Sequence, residues 1–162
     1  MPRMKTPPTF PAAARMAYHR PMNASTLDSS VLLRNACDAV LHLVPDALAV
    51  YVFGSFADAS ERADSDLDIA VLGERPLDPL RRMELQRELG ARLDRDVDFV
   101  DLRTASAVLS QEVLARGRIL FKRDDARVLD FEARALGEYA ALMDATRALR
   151  ESARERGRVH SR

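Results

Sequence analysis

Three aspartates and a Gly-Ser turn are the residues of this chain whose types and spacing could do chemistry. The segment GSFADASERADSDLDIAV, residues 54–71, begins where one strand-like run ends and finishes inside the next. Gly54 and Ser55 therefore occupy a strand-to-helix turn, where a glycine lets the backbone approach a phosphate and a serine adds a hydroxyl donor. Gly-Ser is equally a common turn dipeptide that holds no ligand. Asp66 and Asp68 lie two apart in an extended run, which sends both carboxylates to one face, while Leu67, Ile69 and Val71 take the other and enter the core. Adjacent carboxylates repel and raise each other's pKa unless a cation sits between them, and Mg2+ prefers oxygen ligands of this kind. The plainer alternative is a turn cap at Asp66 and a solvent-facing strand residue at Asp68. In DRDVDFVDL, 94–102, Asp96 and Asp98 share one face and Val97, Phe99 and Asp101 the other. If the second and third strands are neighbours, Asp98 completes a carboxylate trio; otherwise it is an edge-strand charge that discourages aggregation. A trio beside a phosphate cradle meets the needs of phosphoryl transfer from a nucleoside triphosphate. Two metals would clamp the attacking and leaving oxygens while a carboxylate takes the nucleophile's proton.

The elements that must position these residues follow from periodicity. VLLRNACDAVLHLV, opening after Ser29 or Ser30, places Val31, Leu32, Ala36, Val40 and Leu43 at helical spacing and ends at Pro45. LAVYVFG (48–54) and LDIAVLG (67–73) read as buried strands, with Tyr51 and Phe53 as core. Pro79 opens a helix in which Leu80, Met83, Leu85, Leu89 and Leu93 keep a helical period. VDFVDL (97–102) is a third strand, ASAVLSQEVLAR (105–116) a helix with Gly117 at its C′ position, and RILFK a fourth strand. A long helix from about Asp124 to Glu155 carries the apolar stripe Leu129, Leu136, Tyr139, Leu142 and Met143. Its arginine-rich end includes Arg147, Arg150, Arg154, Arg156 and Arg158, read as a solvated helix end or a partner contact. The order predicts a small α/β sheet with helices packed on it.

Composition narrows the field further. The chain has 162 residues, 47% hydrophobic and 31% charged, enough for one packed domain. Its 25 basic and 25 acidic side chains cancel, which removes the broad electrostatic footprint of a dedicated nucleic-acid binder. One cysteine, Cys37, and three scattered histidines, His19, His42 and His160, supply neither a disulfide nor zinc-site spacing. No apolar run approaches the ~20 residues needed to span a bilayer. A soluble cytoplasmic protein is expected, with residues 1–27 as a proline-rich flexible leader, 28–156 as the folded domain and 157–162 as a tail. Met16 or Met22 offers an alternative start.

The GS turn, ten residues, then DLD, followed by VDFVDL, resembles the minimal nucleotidyltransferases of the DNA polymerase β superfamily. RTASAVLSQEVLARGRILFKRDDARVLDFEARALGEYAAL further resembles the C-terminal half of MntA-type adenylyltransferase antitoxins that accompany HEPN ribonuclease toxins. The likeness covers about residues 31–150. It implies a polymerase β-like sheet flanked by helices, with Gly54 and Ser55 holding the triphosphate, Asp66 and Asp68 binding Mg2+, and Asp98 as third ligand and base. It also implies ATP as donor, AMP transfer to a tyrosine hydroxyl of a HEPN toxin, and release of pyrophosphate. Where relatives often read GSxARG, this chain has Asp58 and Ala59, losing a guanidinium that pairs with phosphate and a glycine free to take positive φ. Two other readings stand beside it: transfer to a small molecule such as an aminoglycoside, for which about 120 folded residues leave little room, and a catalytically silent antitoxin that covers its partner.

Overall fold

A computed structural model describes residues 24–58, 65–123 and 125–159, with side chains at 29–58, 65–123 and 125–154. The elements run α1 (Ala24–Leu43), β1 (Ala47–Phe53), a single 3-10 turn (Gly54–Phe56), β2 (Leu67–Gly73), α2 (Pro79–Leu93), β3 (Val97–Asp101), α3 (Ala107–Arg116), β4 (Arg118–Lys122) and α4 (Ala126–Val159). The strands form one mixed sheet in the order β3-β2-β1-β4. β1 is antiparallel to both β2 and β4, whereas β2 and β3 run parallel, joined through α2. The α/β sheet flanked by helices and closed by a long C-terminal helix is as expected.

Alternation along the strands divides the core in two. Val50, Val52, Leu67, Ile69, Val71, Val97 and Phe99 meet Leu33, Ala36 and Val40 of α1 and Leu85 and Leu89 of α2 on one face. Leu48, Tyr51, Ala70 and Leu72 meet Val113 of α3 and Val128 of α4 on the other. β1 and β2 are covered on both faces, which is why each reads as an almost continuous apolar run. Caps set the helix starts: the Asp78 carboxylate accepts from the Leu80 N–H at 2.9 Å with Pro79 at the first helical position, and the Ser106 hydroxyl accepts from the Leu109 N–H at 3.2 Å.

Several boundaries and faces differ from the sequence expectation. α1 begins at Ala24, inside the stretch read as leader, and buries Leu33 rather than Val31. The rest of that stretch, residues 1–23, lies outside the described residues, as do His19, His160 and Asp124. α4 runs to Val159, past the expected end of the domain at 156. On α2 only Leu85 and Leu89 are buried, while Leu80 and Met83 face solvent. The apolar stripe of α4 is also not core: Leu129 is 61% and Leu136 46% exposed, and Val128 and Ala135 dock in their place. Each exposed leucine follows a buried residue by one position, so the side that docks on the sheet is turned by about 100° from the stripe. Gly117 follows α3 as expected but with extended backbone, φ −65° and ψ 153°. Its lack of a side chain serves close approach instead: a Cβ there would collide with the Val113 carbonyl and come within 3.2 Å of the Val52 carbonyl.

Candidate functional site

Parallel pairing of β2 with β3 puts Asp68 directly opposite Asp98. Alternation sends both carboxylates to the face that carries α3 and α4, with Asp68 half-buried and Asp98 exposed. Asp66 immediately precedes β2 and is exposed. The second and third strands are therefore neighbours, which sets Asp98 beside Asp68.

The Gly-Ser turn lies against this pair. Phe53, the last residue of β1, pairs with Asp68, so the chain leaves the sheet beside that carboxylate. Gly54 takes φ +62°, and a Cβ built on it would overlap the Asp68 Oδ2, with the carboxyl carbon only 3.1 Å away. Both facts select glycine: the left-handed backbone disfavours any side chain, and the space is already filled by the carboxylate. The turn closes through Ala57 N–H donating to the Gly54 carbonyl at 3.1 Å and Asp58 N–H donating to it at 3.3 Å. Phe56 is buried in the α1–α2 face, and Arg118 Nη1 donates to its carbonyl at 3.2 Å. Ser55 stands between, partly accessible. Asp58 is exposed, and Ala59 lies outside the described residues.

Burial, followed by the charges of Asp98, Asp66 and Glu112, holds the Asp68 carboxyl above the usual carboxylate range. Three acidic neighbours around a partly desolvated carboxylate are the electrostatic setting that a hard divalent cation relieves. Among the described residues no three His, Cys, Asp or Glu side chains form a closed coordination cluster. The donor set fits Mg2+ in the manner of an open carboxylate pair, since that ion keeps waters and takes phosphate oxygens alongside one or two protein carboxylates. Glu112 was missed by the sequence reading. It is one residue before the buried Val113 on α3, a helix whose placement over β1 and β2 no local pattern reveals.

Other polar groups serve the scaffold. Asp101, buried on β3, accepts from Leu77 N–H at 2.8 Å and Arg103 N–H at 2.9 Å, anchoring the entry to α2. Glu132 of α4 accepts from the Tyr51 hydroxyl at 3.0 Å and from Lys122 Nζ at 2.8 Å, tying α4 to β1 and β4. Burial and that carboxylate push the Tyr51 hydroxyl pKa up. Cys37 and His42 are both on α1, on the opposite face of the sheet from Asp68, and burial with Asp38 pushes the Cys37 thiol up to about 11, which leaves it inert. A cleft of about 560 Å³ at the α2–β3 corner is lined by Gln86, Arg87, Arg95 and Asp96, not by Asp68 or Asp98.

Residues 35–126 match the family model for the polymerase beta nucleotidyltransferase domain, more than half of the chain and every element from the body of α1 to the start of α4. The chain belongs to the polymerase beta nucleotidyltransferase family. Among curated relatives of this nucleotidyltransferase is the protein adenylyltransferase MntA of Shewanella oneidensis, 44% identical over 84 residues. That match takes in 51% of this chain and 60% of the relative, so the chain spans less than two thirds of the relative's length. A crystal structure of a toxin-antitoxin with AMP-PNP aligns at a TM-score of 0.67 and 33% identity, covering 75% of this chain and 97% of that one. A chain from the structure of the tri-AMPylated Shewanella oneidensis HEPN toxin in complex with MNT antitoxin aligns at 0.65 and 31% identity, covering 77% of this chain and 98% of that one. No helix among the described residues is long and apolar enough to cross a membrane.

Proposed function

We propose that this nucleotidyltransferase is an antitoxin that transfers AMP from ATP to a tyrosine hydroxyl of a partner HEPN toxin in the cytoplasm. The observation that carries the reading is the register pairing of Asp68 with Asp98 beside the left-handed Gly54 turn. Its likeness to chains from toxin-antitoxin complexes, one with AMP-PNP and one with an AMPylated toxin, supports the donor and the acceptor class.

In this reading the Gly54-Ser55 turn holds the triphosphate through backbone N–H groups and the Ser55 hydroxyl. Asp66, Asp68 and Asp98 would hold Mg2+, which supplies charge neutralisation at the phosphoryl oxygens and the leaving pyrophosphate. Asp98, the more accessible of the paired carboxylates, accepts the proton of the tyrosine hydroxyl. That oxygen forms a bond to the α-phosphorus, the bond from the α-phosphorus to the bridging oxygen breaks, and pyrophosphate leaves with the electron pair. Asp58 carries no positive charge to the phosphates, so phosphate binding rests on the turn, the metal and other cations. The distal half of α4 exposes Leu142, Met143 and Leu149, apolar surface open to a partner protein.

Incubation of the two proteins with Mg2+ and ATP labelled at the α- or the γ-phosphate tests the reaction. Label from the α position should stay on the toxin and label from the γ position should not. Transfer of γ label, or label on an added aminoglycoside instead of the toxin, would overturn the assignment. Protection of cells without any label would favour a silent antitoxin.

A further inference from the structure

Arg95 sits at the corner between α2 and β3, three residues before Asp98, and its guanidinium reaches two segments distant in sequence. Nη1 donates to the Ser65 carbonyl at 2.6 Å, immediately before Asp66. The guanidinium carbon lies 5.6 Å from the centre of the Phe56 ring, the last residue of the Gly54-Ser55-Phe56 turn. Arg95 thus touches the residue that anchors the phosphate turn and the residue that launches the DLD strand, while its own backbone leads into the strand of Asp98. The arginine is held in place from below. Asp94 adopts φ 49° and ψ 48° at the end of α2, and Arg95 N–H donates back to the Gly90 carbonyl at 3.2 Å.

We propose that Arg95 is a positioning residue for the nucleotide site: it fixes the Gly54-Ser55 turn at a set separation from Asp66, Asp68 and Asp98. The inference rests on the nucleotidyl-transfer reading, because a set separation matters only if one ligand bridges the two parts. A triphosphate does so, with its phosphates on the turn and its metal on the carboxylates. A guanidinium suits the task because it stacks on a ring and donates in its own plane at once, so one side chain fixes distance and orientation together. Lysine keeps the charge and can donate to a carbonyl but has no planar face. Arg118, which donates to the Phe56 carbonyl, holds the same turn from β4, and the pairing of Phe53 with Asp68 holds its start to β2; Arg95 adds a side-chain link from the far end of the turn to Ser65 and the entry of β3.

The test compares parent, Arg95→Gln and Arg95→Lys by calorimetric titration with Mg2+ and α,β-methylene-ATP, with thermal melts of each and the apparent KM for Mg-ATP in toxin labelling. Arg95→Gln should remain folded at the assay temperature and bind the analogue at least tenfold more weakly, with KM rising more than kcat falls. Arg95→Lys should recover part of the loss, and serves as the test by itself if Arg95→Gln does not fold. Parental affinity in Arg95→Gln, equal loss in the two variants, or a loss matched by the unfolded fraction would overturn the proposal while leaving the nucleotidyl-transfer reading intact. Failure of the parent itself to bind the analogue would overturn both.

Discussion

Replacing Gly54 by alanine tests the site through its geometry, not by deleting a functional group. The new Cβ meets two obstacles: the left-handed backbone at φ +62° and the Asp68 carboxylate that already fills the space. The backbone term is about 1–2 kcal/mol, which for a domain of this size lowers Tm by roughly 3–8 °C. The steric term should add little to stability, because Asp68 is only partly buried and its carboxylate should swing aside. That swing is what matters for activity. It removes Asp68 from its place opposite Asp98, so Gly54→Ala should lower AMP transfer by about 10²–10⁴-fold, comparable with loss of a metal ligand or a preorganised electrostatic contact. The loss should be shared with the carboxylate: in an Asp68→Ala background, Gly54→Ala should cost almost nothing more. The assay is α-label transfer by the two single variants and the double variant at a temperature where all are folded. Parental activity in Gly54→Ala, or fully additive losses in the double variant, would refute the claim that the turn acts by fixing Asp68.

Further consequences follow from the same geometry. Asp68 has its folded-state pKa raised, so the stability it contributes is present below its unfolded value near 3.8 and is lost as pH rises through the folded value. Asp68→Asn should therefore raise Tm at pH 7 without Mg2+ and give no gain near pH 3, as thermal melts at the two pH values would show. Asp94→Gly should add about 1 kcal/mol by relieving the left-handed backbone at the end of α2, measured by denaturant unfolding. Glu132→Ala should cost about 1–3 kcal/mol, because the Tyr51 hydroxyl and Lys122 lose their shared acceptor, and adding Tyr51→Phe should return part of it.

The strands and the paired aspartates were legible in the sequence because their signals are local. A continuous apolar run marks a strand covered on both faces, and residues two apart share a face whatever the surroundings. Adjacency of β2 and β3 was a condition, not a reading, and Asp98 joined the site only once the sheet order met it. Helix faces were less legible. Periodicity on α2 and α4 indicates an apolar side but not which of its residues overlie the sheet: Met83, Leu129 and Leu136 belong to those apolar series and are exposed. Gly117 was read for its backbone freedom, whereas it is required for close packing on the Val113 carbonyl. Arg95 and Glu112 gave no local signal, since what they act on is 30 or more residues away in the chain for Arg95 and on a different element for Glu112.

The most direct measurement is the intact mass of the proposed partner, a HEPN toxin, after co-expression with the parent protein, with Asp68→Ala and with Asp98→Ala. The account predicts toxin carrying one or more AMP groups with the parent protein, and unmodified, active toxin with either variant although both variants are folded. Unmodified toxin silenced equally by all three proteins would contradict it.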